Sequence, residues 1–90
     1  MSQEHIVRLA GKLLAARASE LQRELSAALA EHAQLCLDLS EVEALDAMGL
    51  QLLLAARVSQ RARGRTLQFR APSAAVRELC GALAVRLENG

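Results

Sequence analysis

Residues 37–52 read LDLSEVEALDAMGLQL, and this stretch decides the fold because a strand pattern gives way to a helix pattern within it. Leu35 to Leu39 form a short, nearly continuous apolar run, which is typical of a central strand covered on both faces. Residues 40–46 follow as a turn region. From Gly49 to Ala62 apolar residues recur at helical spacing, and Gly64 stands where a helix C′ glycine is expected. The stretch therefore predicts a strand, a turn and a helix in that order.

Strand and helix patterns also alternate on both sides of this stretch. His5 to Ala10 reads as a short strand, and the apolar spacing from Ala15 to Ala33 predicts an amphipathic helix. Thr66 to Arg70 alternates like a half-buried strand, and Ser73 is placed to be the N-cap of a third helix. Ala84 to Leu87 is either one more strand or a tail. This order predicts an α/β fold with a mostly parallel sheet.

The composition is that of one small domain with an aliphatic core. The chain has 90 residues, which predicts a single domain over residues 1–90. Phe69 is the only aromatic residue, so there is no platform on which nucleic-acid bases could stack. The net charge of +1 provides no strong field for nucleic acid or for an anionic membrane. We therefore expect neither as a partner.

The cysteines and the N-terminal residues favour a cytoplasmic location. Cys36 and Cys80 stand among apolar neighbours without a CxxC motif, which is typical of buried, reduced thiols. Residues 1–5 lack the basic-then-apolar order of a signal peptide. The longest uncharged stretch, residues 47–56, is too short to span a bilayer.

The sequence offers little support for an enzyme, so we expect no catalytic residue, cofactor or metal. No serine lies in a Gly-x-Ser-x-Gly elbow, and no Walker or Rossmann glycine pattern is present. His5 and His32 lack metal-ligand spacing and are more often structural in such positions. Four carboxylates lie close in sequence but lack the pattern of a calcium loop. They are Asp38, Glu41, Glu43 and Asp46.

Asp46 stands where a helix begins, and this position has two interpretations. Its carboxylate can accept hydrogen bonds from the free N–H groups of the first helical turn, which is a structural role. The same turn is electropositive and can meet an anion or a carboxylate of a partner. Four arginines near the end of this helix are either a solvated helix end or a contact for phosphate or an acidic partner. They are Arg57, Arg61, Arg63 and Arg65.

Five segments, in this order and with these gaps, carry a family resemblance. They are LAGKL at 9–13, LDLSEV at 37–42, LDAMGL at 45–50, RGRTL at 63–67 and APSAAV at 71–76. Together they resemble the STAS family, the domain named after sulfate transporters and anti-sigma-factor antagonists. The resemblance implies a small, mostly parallel β-sheet of about four strands flanked by three α-helices. It also implies a protein-binding module and not an enzyme.

The resemblance also marks a binding turn, and this chain departs from it there. In antagonists of the sporulation and stress-response type the turn looks like Asp-Ser-Ser-Gly, and the second serine is phosphorylated by a partner kinase. That position is Met48 here and the preceding one is Ala47, so neither can accept phosphate. We therefore expect no phosphoacceptor in this turn. The residues expected to bind a partner are Asp46, Ala47, Met48, Gly49 and Leu50, with Asp38 and Ser40.

The resemblance leaves several partners open. The first is a regulatory protein, either an anti-sigma factor of the histidine-kinase-like ATPase type or a chemosensory protein. The second is the ATPase of an ABC phospholipid-transport complex, whose small STAS subunit looks similar but usually keeps a threonine at the position of Ala47. The third is a nucleotide or another small ligand. Many STAS domains have one more strand before His5–Ala10, so we expect a sheet one strand short, or an edge covered by a homodimer partner or a larger assembly.

Overall fold

Three strands alternate with three α-helices in the computed structural model, which describes residues 4–87. A short 3₁₀ turn over Ala15–Arg17 precedes the first helix. The predicted α/β fold is confirmed. The strands are β1 His5–Leu13, β2 Gln34–Leu45 and β3 Thr66–Arg70, and the helices are α1 Ala18–Glu31, α2 Ala47–Ala62 and α3 Ala74–Ala82.

The sheet has the order β1-β2-β3, and both pairs of strands are parallel. Leu37 at the centre of β2 is in register with Val7 of β1 and with Phe69 of β3. Within residues 4–87 the sheet has three strands, where about four were expected. The suggested strand over residues 84–87 is absent, because Ala84 has a positive φ of 54° and the next three residues adopt no regular structure.

The predicted end of β2 at Leu39 was wrong, because the strand continues through the supposed turn region to Leu45. Val42 is buried between exposed glutamates, which is the alternation of a half-buried strand. β1 likewise continues beyond Ala10 to Leu13. The register between the two strands shifts twice in this part, and Gly11 with a φ of +83° lies at the second shift.

The two faces of the sheet differ. Leu35, Leu37 and Leu39 on one face of β2 belong to the hydrophobic core, which also contains residues from all three helices. Side chains alternate along a strand, so Cys36 and Asp38 point to the opposite face. Both are buried, yet Cys36 lies outside the core cluster. The buried helix residues in the core are Leu21, Leu25, Leu29, Leu50, Leu53, Ala56, Val76 and Cys80.

The ends of α2 and α3 agree with the helix signals in the sequence. Ser73 is the N-cap of α3, and its hydroxyl accepts a hydrogen bond from the Val76 N–H at 3.3 Å. Gly64 adopts a φ of +72° just after α2, as a C′ glycine does. Across residues 4–87, none of the helices is long and apolar enough to cross a membrane.

Candidate functional site: the turn that begins α2

Asp46 holds the turn between β2 and α2, residues 45–50, which we call the α2 turn. It is the N-cap of α2, and its Oδ1 accepts a hydrogen bond from the Gly49 N–H at 2.9 Å. Its Oδ2 accepts a second hydrogen bond from the Ala15 N–H at 2.8 Å. Ala15 begins the 3₁₀ turn that follows β1, so one carboxylate joins two separate connections of the chain.

These hydrogen bonds keep the Asp46 carboxylate charged. The N–H of Gly49 and then that of Ala15 lower the pKa of Asp46 below its ordinary value, although partial burial opposes them. A depressed folded-state pKa contributes stability above the unfolded-state pKa, and that contribution is lost as the pH falls. The structural role of Asp46, the first of the two interpretations, is therefore present in the fold.

Gly49 is required by the close approach of β1 to α2. A Cβ atom at this position would collide with the carbonyl oxygen of Leu13 and would lie 2.9 Å from Leu45 Cδ1. The first of these atoms belongs to the main chain, so it cannot move aside without displacing the end of β1. The glycine of the α2 turn is thus explained by packing between the strand and the helix.

Ala47 and Met48 are the two residues of the α2 turn that face outward. Both are exposed, and Met48 leaves 43% of its surface accessible. Leu50 is 2% exposed and lies in the core, and Gly49 is also buried. Among the five candidate binding residues of the turn, these two form the accessible surface, and the other three hold them in place.

Asp38 and Ser40, the other two candidates, lie in a different part of the fold. Ser40 donates to Asp38 Oδ1 through its hydroxyl at 2.6 Å and its N–H at 2.9 Å, and Arg70 Nε donates to Oδ2 at 3.2 Å. These hydrogen bonds, that of the Ser40 hydroxyl first, lower the pKa of Asp38 to about 2. Seven residues of β2 lie between Asp38 and Asp46, so the two carboxylates stand at separate places along the strand.

The first turn of α2 has few free donors for a small anion. The Gly49 N–H donates to the Asp46 side chain, and the Leu50 N–H donates to the Asp46 carbonyl oxygen at 3.0 Å. The carboxylate of Asp46 also places a negative charge at this helix end. A phosphate or carboxylate ligand would have to compete with it, so the geometry favours contact with a protein over binding of a nucleotide.

Two of the four clustered arginines bind main-chain carbonyls of this chain. Arg57 donates to the Leu87 oxygen at 2.8 Å, and Arg65 donates to the Leu29 oxygen at 2.9 Å. These contacts join α2 to the C-terminal segment, and the residue before β3 to the end of α1. The cluster therefore acts partly within the fold, which the charge pattern alone did not indicate.

Three further features were not predicted from the sequence. His5 and His32 stack with their ring centroids 3.7 Å apart, although residues 4–87 contain no group of three potential metal ligands. Arg70 belongs to the Asp38 network, and the Ala15 N–H belongs to the α2 turn. The partners in these pairs are 27 to 32 residues apart, and only the strand register or the packing of connections brings them together.

Comparisons with known proteins place this geometry in a family. The family STAS_2, described as "Mlab, STAS domain", matches residues 1–85. The anti-sigma factor antagonist SpoIIAA in its unphosphorylated form has a similar structure, with a TM-score of 0.72 and 17% sequence identity over 94% of this chain and 76% of that chain. A proposed anti-sigma factor antagonist from Thermotoga maritima gives a TM-score of 0.73 and 19% identity over 88% of this chain and 71% of that chain. At these identities the two structures establish the fold. No curated protein matches the chain.

Proposed function

The chain belongs to the STAS_2 family, and we propose that it is a regulatory protein-interaction module that binds its partner through the α2 turn without being phosphorylated there. The exposure of Met48 carries this proposal. Its side chain is 43% accessible and follows a carboxylate that is hydrogen-bonded on both oxygens. A flexible thioether on a fixed turn is well suited to contact an apolar partner surface.

The lack of a phosphoacceptor follows from the residues of the turn. Residues 45–50 read LDAMGL and contain no hydroxyl, imidazole or thiol. A phosphate would add a charge of about −1.5 to −2, and neither Ala47 nor Met48, which stand at the two serine positions of the family turn, has a side chain that can take it. The nearest serine along β2, Ser40, donates its hydroxyl to Asp38 at 2.6 Å and belongs to the separate Asp38 network. On this proposal, regulation must come from the partner or from another part of the chain.

The partner that we propose first is a regulatory protein such as a histidine-kinase-like anti-sigma ATPase or a chemosensory protein. Both structural neighbours carry the name of antagonists of anti-sigma factors, which supports a protein partner of that kind. The ATPase of an ABC phospholipid-transport complex is the second candidate. We keep this second candidate because the matching family is described as Mlab and not as an antagonist. Ala47, in place of the usual threonine, counts against it.

A charge placed on Met48 tests the proposed surface. The tagged chain is used to recover partners from its native lysate, and the affinity of an identified partner is then measured by calorimetry. We expect Met48→Glu to weaken binding by about tenfold or more, because a carboxylate would have to be buried or left unpaired at the contact. We expect Met48→Leu to bind nearly as well as the wild type.

Leu83→Glu is the matched control. Leu83 is a similarly exposed apolar residue, 48% accessible, at the far end of α3. Circular dichroism of both variants verifies that the domain stays folded. Equal affinity of Met48→Glu and the wild type would rule out the proposed surface. A phosphate mapped to residues 45–50 by peptide mass spectrometry would contradict the absence of phosphorylation.

A further inference from the structure

A cleft separates α3 from the C-terminal segment of residues 85–87, which we call the strap. The volume of the cleft is about 560 Å³. Two hydrogen bonds hold the strap: the Val85 N–H donates to the Cys80 oxygen at 2.8 Å, and Arg57 on α2 donates to the Leu87 oxygen at 2.8 Å. The side chain of Leu87 is only 5% exposed. The cleft therefore has two fixed walls and lies outside the α2 turn.

The cleft has an apolar floor and a cationic rim. Its lining includes Val76, Cys80 and Leu87, which all belong to the hydrophobic core. Arg77 on α3 and Arg86 on the strap also line it, and both residues are exposed. Within residues 4–87, neither arginine forms an ion pair, and no aspartate or glutamate lines the cleft. Two guanidinium groups thus border apolar surface, and no carboxylate among residues 4–87 pairs with either of them.

We propose that this cleft binds a small amphipathic anion, whose carboxylate or phosphate monoester meets Arg77 and Arg86 while its apolar tail packs against Val85 and the edges of Cys80 and Leu87 that border the cleft. Guanidinium groups form paired hydrogen bonds with both kinds of head group. The volume lies within the roughly 300–1,000 Å³ that is usual for small-molecule sites. Small-molecule sites combine apolar surface with polar groups that fix the orientation of the ligand, and the lining of this cleft contains both kinds of surface.

The thiol of Cys80 provides a reporter at the floor of the cleft. Burial raises the pKa of Cys80, so the thiol reacts slowly with alkylating reagents, and a tail that covers it slows the reaction further. Cys36 is an internal reference, because it is also buried, its pKa is also raised by burial, and it lies on the opposite face of the sheet. Protection confined to Cys80 would distinguish occupation of the cleft from a general gain in stability.

The experiment measures the alkylation rates of both cysteines by peptide mass spectrometry. The probes are decanoate, monodecyl phosphate, decanol and inorganic phosphate, each below its micelle concentration. We expect the two amphipathic anions to slow the alkylation of Cys80 about fivefold or more and to leave the alkylation rate of Cys36 unchanged. Only these two probes have both a head group for the arginines and a tail for the apolar surface. Decanol and inorganic phosphate should change the alkylation rate of Cys80 by less than about twofold. Protection by one anion alone would assign the head group as carboxylate or phosphate.

Variants of the rim complete the test. We expect Arg77→Ala with Arg86→Ala to raise the decanoate or decyl phosphate concentration needed for half protection by about tenfold or more. Arg63 is an exposed arginine outside the cleft, so Arg63→Ala should leave the concentration needed for half protection unchanged. Equal protection by decanol, parallel slowing of Cys36, or unchanged protection in the double variant would each overturn the proposal.

Discussion

The contact between Gly49 and β1 makes a prediction whose size can be worked out from the structure. In Gly49→Ala the new methyl group would meet the Leu13 carbonyl oxygen, a main-chain atom at the end of β1, and would lie 2.9 Å from Leu45 Cδ1. Relief of this overlap requires α2 and β1 to separate. That movement would also strain the hydrogen bond from the Ala15 N–H to Asp46 Oδ2, which joins the start of α2 to the connection after β1.

Two opposing terms set the magnitude. Overpacking a tightly packed site typically costs about 1–3 kcal/mol, and a main-chain obstacle places this site at the upper end of that range. Alanine in a helix returns up to about 1 kcal/mol relative to glycine. We therefore expect a net loss of about 2 kcal/mol in the free energy of unfolding. For a domain of this size that loss lowers the melting temperature by roughly 8–16 °C.

Two other glycines of the chain are matched controls. Gly81 lies in α3 with open space around its Cα, so Gly81→Ala should raise the free energy of unfolding by about 0.5 kcal/mol through helix propensity alone. Gly64 also has open space but a φ of +72°, so Gly64→Ala should cost about 1 kcal/mol through backbone strain alone. The three substitutions separate overlap, propensity and strain.

Urea unfolding followed by far-ultraviolet circular dichroism is the assay, because the chain has neither tryptophan nor tyrosine for fluorescence. A free energy of unfolding for Gly49→Ala within about 0.5 kcal/mol of the wild type would refute the reasoning, since surface-like substitutions stay in that range. It would mean that α2 does not approach β1 as closely as the structure shows.

The lowered pKa values of Asp38 and Asp46 lead to the remaining predictions. The pKa of Asp38 is about 2 in the fold and 3.8 without it, so its contribution to stability is present above about pH 4 and is lost as the pH falls toward 2. We expect Asp38→Asn to lower the urea midpoint at pH 7 and to flatten its decline below pH 4; an equally steep decline would contradict this assignment. In Asp46→Asn the side-chain amide has one acceptor oxygen for the two N–H groups that donate to Asp46. The urea midpoint of this variant at pH 7 should therefore fall below that of the wild type. The difference in urea midpoint between Asp46→Asn and the wild type should become smaller as the pH falls below about 4, because the pKa of Asp46 is also lowered in the fold. A difference that stays constant from pH 7 to pH 2.5 would count against a charged N-cap.

Local signals in the sequence predicted the helices and the short third strand well. The pattern of Thr66–Arg70 gave the bounds of β3, and Ser73 is the N-cap of α3 as predicted. These features depend on neighbours a few residues away, such as the Val76 N–H on the Ser73 hydroxyl. Gly64 likewise ends α2 through its own φ. Signals of this kind are visible in a single sequence.

The ends of β1 and β2 depended on contacts between distant residues and were missed. Ser40, Glu41 and Glu43 suggested a turn by their polarity, but they lie on a strand that pairs with β1 through two register shifts. The position of such shifts is set by the pairing of two strands about 30 residues apart, which leaves no periodic mark in either strand. Ser40 therefore lies on β2 and not in a turn, and strand residues separate Asp38 and Ser40 from the α2 turn.

In the α2 turn, sequence reasoning identified the cap but not its second partner. An aspartate before a helix predicts a bond to the first turn, and Asp46 forms it with the Gly49 N–H. Its bond to the Ala15 N–H comes from a backbone donor, and any residue except proline supplies one. The need for glycine at 49 was equally hidden, because it arises from the carbonyl oxygen of Leu13 and not from the φ of the glycine.

The α2 turn separates the residues that fix its shape from the residues that a partner would meet. Asp46 and Gly49 fix the shape through main-chain contacts with β1 and with the connection after it, and these contacts do not involve the side chains at positions 47 and 48. Ala47 and Met48 are therefore free to differ from hydroxyl residues without disturbing the fold. On the proposed function, a phosphorylatable and a non-phosphorylatable turn can share one scaffold, and they differ in the surface that the partner meets. Because Met48 carries no charge at any pH, this proposal requires that a switch by charge at the exposed position come from the partner or from a second site on this chain.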